Sequence, residues 1–286
     1  MTAFPVSRPV TARIDIQTGR VDVIASSRRE ATVTVSPSDP ARAADRRAAD
    51  AVRVEHVGGD IVVKGAHRMK MLGPRDSVAV SVELPAGSAV ALTMAFGSAR
   101  LSGSFGAVRA QLSYGDFDLD AAERLVLKGG YGEYRVGSVV EEAEIAFKSG
   151  AAEIGRVGGG LRLTGNDGPI RVESVGGPSE LSTSSGSIDL GSSEADVALR
   201  AAYGSVTVRD AVRGALRIDG SYGDIDVGVH PGTAVWLDAT SQHGLVRTDL
   251  SADSGPRDGD ETLELRIRAG YGSVRVQRSH GDARDR

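Results

Sequence analysis

Apolar and polar residues alternate with period two along most of this chain, in short runs that restart at a glycine. Alternation at that period marks β-strands with one buried face. The recurring unit is glycine, a small or polar residue, then apolar, polar, apolar. It is read at Gly97 to Leu101, Gly115 to Leu119, Gly132 to Val136, Gly150 to Ile154, Gly168 to Val172, Gly186 to Leu190, Gly204 to Val208 and Gly223 to Val227, with weaker or displaced copies from Gly244 and Gly272. From Gly97 to Gly223 the glycines stand 18, 17, 18, 18, 18, 18 and 19 residues apart. A fixed period of that length with short strands closes one rung per repeat, each coil pairing with the next. The pattern therefore predicts an all-β fold, a single-stranded parallel β-solenoid (β-helix) of about ten coils of roughly eighteen residues. Glycine gives the backbone freedom to turn each corner.

The third residue after each glycine reads Arg100, Asp118, Arg135, Glu153, Arg171, Asp189, Thr207, Asp226, Arg247 and Arg275. Parallel strands in register set equivalent residues about 4.8 Å apart. Alternating sign from Arg100 to Asp189 thus predicts an outward ladder of ion pairs, each worth roughly 0.2–1 kcal/mol.

Residues 1–95 lack the eighteen-residue spacing and read as strands at 12–17, 21–25, 31–35, 52–55, 60–64 and 78–84. Between them Asp39 and Pro40 offer an N-cap and first-turn proline for one short helix, with Ala41, Ala44, Ala48 and Ala51 on one narrow face. The expected organisation is an N-terminal β cap with that helix, grading into the first coils, over 1–95; solenoid repeats over 96–250; C-terminal cap strands over 251–277; and a disordered tail over 278–286.

Composition fits a chain that turns often and packs small side chains, with 37 glycines against 10 prolines and 4% aromatics. The absence of cysteine excludes a disulfide framework, a thiolate metal site and a cysteine nucleophile. The 34 basic and 38 acidic residues are interspersed, with a net charge of −4, so no nucleic acid partner is expected. The longest charge-free stretches are too short for a membrane span, and the first residues do not read as an export signal, so the expected location is cytoplasmic. There is no P-loop, dinucleotide fingerprint or nucleophile elbow, and His56, His67, His230, His243 and His280 are scattered. No catalytic residue, cofactor or metal is expected.

The segments TARIDIQTGRVDVIAS (11–26), SDPARAADRRAAD (38–50) and SVELPAGSAV (81–90), together with the glycine repeats, give the chain a family resemblance. It resembles bacterial β-strand-repeat proteins of unknown function, an adhesin-labelled family of the DUF4097 type. Gly115-Asp116 and Gly223-Asp224 match a corner common in that family. The resemblance implies a β-solenoid and carries over no catalytic residues.

Four features are candidates for function. Tyr114, Tyr131, Tyr203, Tyr222 and Tyr271 each precede a repeat glycine, with Phe96 and His243 in the same column. They form either a corner ladder, held inward by strand parity, or a binding stripe. The segment Lys64 to Asp76 joins Lys64, His67, Arg68, Lys70 and Arg75 to Met69, Met71 and Leu72. It is either an ordinary hairpin loop between two cap strands or a contact for an acidic partner, an anionic lipid surface or nucleic acid, and nothing else in the pattern supports peripheral contact with a membrane. Trp236 points outward by parity, either covered by the carboxy-terminal loop and last strands or free as an anchor for a partner. Asp116, Asp118 and Asp120 alternate on one strand, where flanking Arg100 and Arg135 favour an ion-pair face over a metal site. The function expected is a non-catalytic solenoid serving as a scaffold or protein-interaction surface, through a protein partner or self-association. The alternative is a carbohydrate-binding or carbohydrate-cleaving β-helix.

Overall fold

The computed structural model describes residues 2–6, 8–65, 76–251 and 259–279. It divides into two compact units, Met1–Val140 with Ile145–Phe147, and Glu141–Glu144 with Lys148–Arg286. Both are built of parallel β-solenoid coils.

The first unit holds β1 (Thr2–Pro5), β2 (Thr11–Ser26), β3 (Glu30–Pro37), α1 (Ala43–Asp50), β4 (Arg53–Val57), β5 (Asp60–Lys64), β6 (Val78–Pro85), β7 (Ala89–Tyr114) and β8 (Phe117–Val139). Its parallel stack runs β5 and β6, then β2, then β7, then β8. β5 follows the first half of β2 and β6 the second, so the two together make one coil. β5 and β6 do not pair with each other among the described residues, and 66–75 between them lies outside those residues. Three antiparallel strands close this stack, β4 on β5, β3 on β6 and β1 on β3.

The helix begins at Ala43, later than the Asp39 cap predicts. Asp39 instead accepts the Ala41 amide at 2.9 Å in the preceding turn. The buried residue of α1 is Asp45, whose carboxylate accepts the amides of Asp39 and Ser77, each at 3.2 Å. The alanine face is only half-buried or exposed, because one charged group there satisfies two loop amides.

The second unit holds β9 (Ala143–Val157), β10 (Leu161–Asp167), β11 (Ile170–Val175), β12 (Ser179–Ser185), β13 (Ile188–Ser193), β14 (Val197–Tyr203), β15 (Val206–Ala211), β16 (Gly214–Tyr222), β17 (Ile225–Val229), β18 (Ala234–Ser241), β19 (Val246–Thr248), β20 (Thr262–Tyr271) and β21 (Val274–Arg278). Two parallel rows result. One runs β10, β12, β14, β16, β20, β18, and the other β9, β11, β13, β15, β17, β21, β19. The last coil in the chain, β20 with β21, is thus inserted between β16–β17 and β18–β19. At the start of the first unit β2 is likewise inserted between β5–β6 and β7. Each tucked coil has a parallel neighbour on both sides, a remedy for the fraying of terminal strands.

The corners explain the glycine period. Gly115 has φ +135°, and a Cβ there would collide with the carbonyl oxygen of Gly97 one coil below. Only glycine fits both the backbone angle and the close stacking. Inside, alternate residues such as Leu101, Phe117, Ile170, Leu181, Leu190, Leu216 and Val274 are buried, which is the parity the sequence predicts.

The jump past the inserted coil leaves carbonyls to satisfy. Arg278, at the end of β21, donates to the carbonyls of His230 and Thr233 at 3.0 and 2.8 Å. The Thr233 hydroxyl in turn donates to the Val212 carbonyl at 2.8 Å. The equivalent turn into β7 buries Ser88, whose hydroxyl accepts the Val10 amide at 3.2 Å.

Candidate functional site

The outermost coil of the second unit, β18–β19, differs from every coil it resembles. Leu216, Leu265 and Leu237 share one inward register position, yet Leu216 and Leu265 are buried and Leu237 is only half-buried. On the other row Ile225 and Val274 are buried, while Val246 beside them is 42% exposed and its neighbour Leu245 is 59% exposed. The cause is the inserted coil: among the described residues β18 pairs only with β20 and β19 only with β21. Their outer edges have no strand against them among the described residues.

Trp236 lies on this coil. The parity that points it outward holds, and it is 55% exposed, with no cover over it among the described residues; the segment 252–258 lies outside them. The strands meant to cover it, β20 and β21, sit on the inner side of β18, where Trp236 aligns with Glu264. The Arg266 guanidinium rests over the indole at 5.4 Å. Two residues on, Arg268 pairs with Asp238, and this hydrogen bond holds the Asp238 carboxyl below its ordinary range and the Arg268 guanidinium above its own. A groove of about 1610 Å³ runs beside these strands, lined by Arg217, Trp236, Glu264 and Arg266 among others. Arg217 aligns with Arg266, so two like charges are adjacent, whereas Arg162 and Glu180 in the same column are opposite.

The tyrosine column forms two ladders. In the first unit Phe96, Tyr114 and Tyr131 stack at 5.0 and 5.1 Å with rings within 7° of parallel. In the second, Tyr203, Tyr222, Tyr271 and His243 stack in that order at 5.0, 5.0 and 4.3 Å. The inward placement predicted from parity is wrong: Tyr114 and Tyr131 are 48% and 49% exposed. Each strand has begun its corner at this residue, and the last inward position is taken by a small residue such as Gly129 or Gly220. A Cβ on Gly129 would strike the Tyr134 ring, and one on Gly220 would press on Ile225. The rings face one another, so only their edges meet solvent, and a sugar has no open ring face to stack on except at a ladder end.

The ion-pair column stands in part, since Asp189 turns to Arg209 and not to Arg171. Asp118 pairs with Arg100 at 3.3 Å and Arg135 at 3.8 Å, Arg171 with Glu153 at 3.3 Å, and Arg275 with Asp226 at 3.8 Å. The alternating aspartates are all in structural use. Asp116 accepts the Glu133 amide and Asp120 the Gly103 amide, both at 2.9 Å. Asp224 accepts the Ser273 amide of the inserted coil at 2.7 Å, a corner staple that sequence reading noticed only as a motif. No cluster of three or more metal-ligating side chains occurs among the described residues.

One group of side chains contains the residue types of a catalytic triad. Ser279 donates to Asp210 at 2.6 Å and His230 Nδ1 lies 2.9 Å from Asp210. The order is wrong for nucleophilic catalysis, because the carboxylate stands between the hydroxyl and the imidazole, and among the described residues no imidazole hydrogen-bonds the serine. Lys64 is exposed at the end of β5. His67, Arg68 and Lys70 lie outside the described residues, as does most of the 278–286 tail.

No described helix is long and apolar enough to cross a membrane. The structures similar to this chain include a "putative adhesin" from Parabacteroides distasonis, 12% identical over 96% of this chain and 95% of that one, TM-score 0.37. Another is a "putative adhesin" from Bacteroides fragilis, 10% identical over 96% and 95%, TM-score 0.29. A third is a "putative cell adhesion protein" from Clostridium sporogenes, 11% identical over 97% and 98%, TM-score 0.21. No curated protein matches. The model of one family, Toastrack DUF4097, matches residues 11–284. Since that match takes in the cap, the glycine-cornered coils and the inserted last coil alike, the chain belongs to the Toastrack DUF4097 family.

Proposed function

We propose that this protein is a non-catalytic β-solenoid that works as a protein-interaction surface, a scaffold of adhesin-like character. The observation that carries the reading is the coil β18–β19, where inward positions buried elsewhere are half-buried or exposed and Trp236, Leu245 and Val246 are laid open together. Large apolar side chains gathered beside unpaired strand edges are what a partner covers. The polar groups that could pass for an active site support the same reading, since Asp116, Asp118, Asp120 and Asp210 all hold structural partners. The test is complex formation by the full chain, with itself or with another protein, compared with the Leu245→Ser/Val246→Ser variant. The reading expects the variant to lose the complex while keeping its circular dichroism. Equal complex formation by both proteins, or none by either, overturns it.

A further inference from the structure

We infer that the coil β18–β19 is covered by the same coil of a second copy, in a tail-to-tail dimer about a two-fold axis; this rests on the proposed role of that coil as an interaction surface. The argument begins with backbone groups. On β19 the Leu245 carbonyl accepts the Val274 amide at 2.8 Å and the Asp249 amide donates to the Val276 carbonyl at 3.1 Å. Backbone groups alternate sides along a strand, so Leu245, Arg247 and Asp249 bond inward to β21, while Val246 and Thr248 turn their N–H and C=O to the free edge. A partner strand must meet those groups.

Among the described residues two edges are open at once, β18 on one row and β19 on the other. A single extended peptide seals one of them. A second copy of the same end brings both together, with the same alternation of inward and outward side chains, and a two-fold axis makes the paired strands antiparallel.

Charge then selects the register. Centred on Arg247, the pairing would set arginine against arginine. Centred on Thr248, it sets Arg247 opposite Asp249 of the other copy, twice by symmetry, on the outward face. Thr248 then exchanges both backbone hydrogen bonds with its counterpart, in agreement with the free groups on that residue. Arg247 needs such a partner. Its in-register neighbour is Arg275, which already pairs with Asp226, and among the described residues Arg247 has no ion pair of its own. The same pairing covers the half-buried Val235, Leu237 and Ala239 of β18 and the exposed Val246.

The experiment is sedimentation velocity of the full chain over a concentration series, with charge swaps checked for fold by thermal melting. The wild type is expected to dimerise. Arg247→Asp or Asp249→Arg alone, each placing like charges opposite, should weaken the dimer at least about tenfold, and the double swap should restore it. The native chain has no cysteine, so Thr248→Cys should give a disulfide-linked dimer on oxidation. Cα atoms of a hydrogen-bonded antiparallel pair lie about 5.5 Å apart, within disulfide reach. Arg247→Cys should cross-link poorly. A dimer indifferent to the swaps, or one the double swap fails to rescue, overturns the inference. A monomer at every concentration also overturns it. If that monomer still forms a complex with another protein, lost in Leu245→Ser/Val246→Ser, the interaction reading survives the inference; if it forms none, both fall.

Discussion

The coils β5–β6 and β18–β19 are equivalent in construction and opposite in condition. Each is the outermost parallel coil of its unit, and each is out of chain order, with β2 tucked on the inner side of one and β20–β21 on that of the other. In β5–β6, Ile61, Val63, Val80, Val82 and Leu84 are fully buried. In β18–β19 no inward residue is. The strands alternate alike, so alternation alone does not bury a coil. A second neighbour does. β4 and β3 supply it in antiparallel sense, with β1 paired to β3 and α1 packed on β3 and β6. Among the described residues β18–β19 has no such cover.

The largest expected effect measures that difference directly. Leu84→Ala in the covered coil and Leu265→Ala in the inserted coil each empty a fully buried site and should cost about 2–5 kcal/mol. Leu237→Ala, aligned with Leu265 but half-buried, should cost only about 1 kcal/mol. Urea midpoints at low protein concentration check this. An equal cost at Leu237 and Leu265 would mean that the edge is covered in the monomer, and the contrast would be gone.

A second experiment makes the covered end resemble the open one. Asp45 is buried and accepts the Asp39 and Ser77 amides, with Arg42 at 3.3 Å. Asp45→Ala leaves these groups without their acceptor and should cost about 1–3 kcal/mol. Amide exchange should quicken in β3 and β6 and stay unchanged in β18. Unchanged exchange in β3 would show that α1 is dispensable to the cap.

The contrast between these coils also marks what could be read beforehand. The corner glycines, the inward parity from Leu101 to Val227 and part of the ion-pair column follow from local pattern, because each depends on residues within one coil or on strict repetition. Spatial order does not. Gly19-Arg20-Val21-Asp22-Val23 is a full copy of the repeat unit, and Gly19 pairs in register with Gly97. The unit escapes a search at period eighteen because β3, α1 and β4 to β6 intervene between the two glycines. Gly244 and Gly272 look displaced for the same reason, since the stack runs Gly223, Gly272, Gly244. A strand's pattern says which face is buried and not which strand lies beside it. Hence Trp236 could be oriented but its cover could not be known, and the tyrosines were lost at a corner where counting by twos fails.

A smaller effect, of opposite sign, lies away from both ends. Tyr134 is buried against Phe147 at 5.6 Å, and its hydroxyl has no hydrogen-bond partner. Burial, aided by the charge of Asp116, pushes its phenol up to about 12. Tyr134→Phe removes an unsatisfied polar group and should stabilise by about 1 kcal/mol. The unfolded chain loses this proton near pH 10 and the folded chain near pH 12. The unfolded state therefore binds fewer protons between those values, and stability falls as pH rises through that window. The variant should lack this part of the alkaline loss in melts from pH 9 upward, and its phenolate titration should lack the latest component. Equal alkaline loss in both proteins would show that Tyr134 ionises as readily folded as unfolded.

The smallest effect returns to the open coil. His243 ends the ladder of the second unit, with one face on Tyr271 at 4.3 Å. Tyr203, the opposite end of the same ladder, also stacks on one partner, at 5.0 Å from Tyr222. Replacement of either by leucine keeps much of the apolar area and gives up one stacking contact, so each should cost about 0.5–1 kcal/mol. The two differ in backing: Tyr203 stands on β14, paired on both sides, and His243 just beyond β18, paired on one. A strand that is free to shift recovers part of what it loses, so the cost at His243 should be the lower of the two at concentrations where the protein is monomeric. If the cost at His243 rises with protein concentration while that at Tyr203 stays fixed, the open coil is being held by a second molecule. A cost at His243 that exceeds Tyr203 at every concentration would mean that the coil is held within one chain, and that it is as well supported as the capped coil with which it has been contrasted.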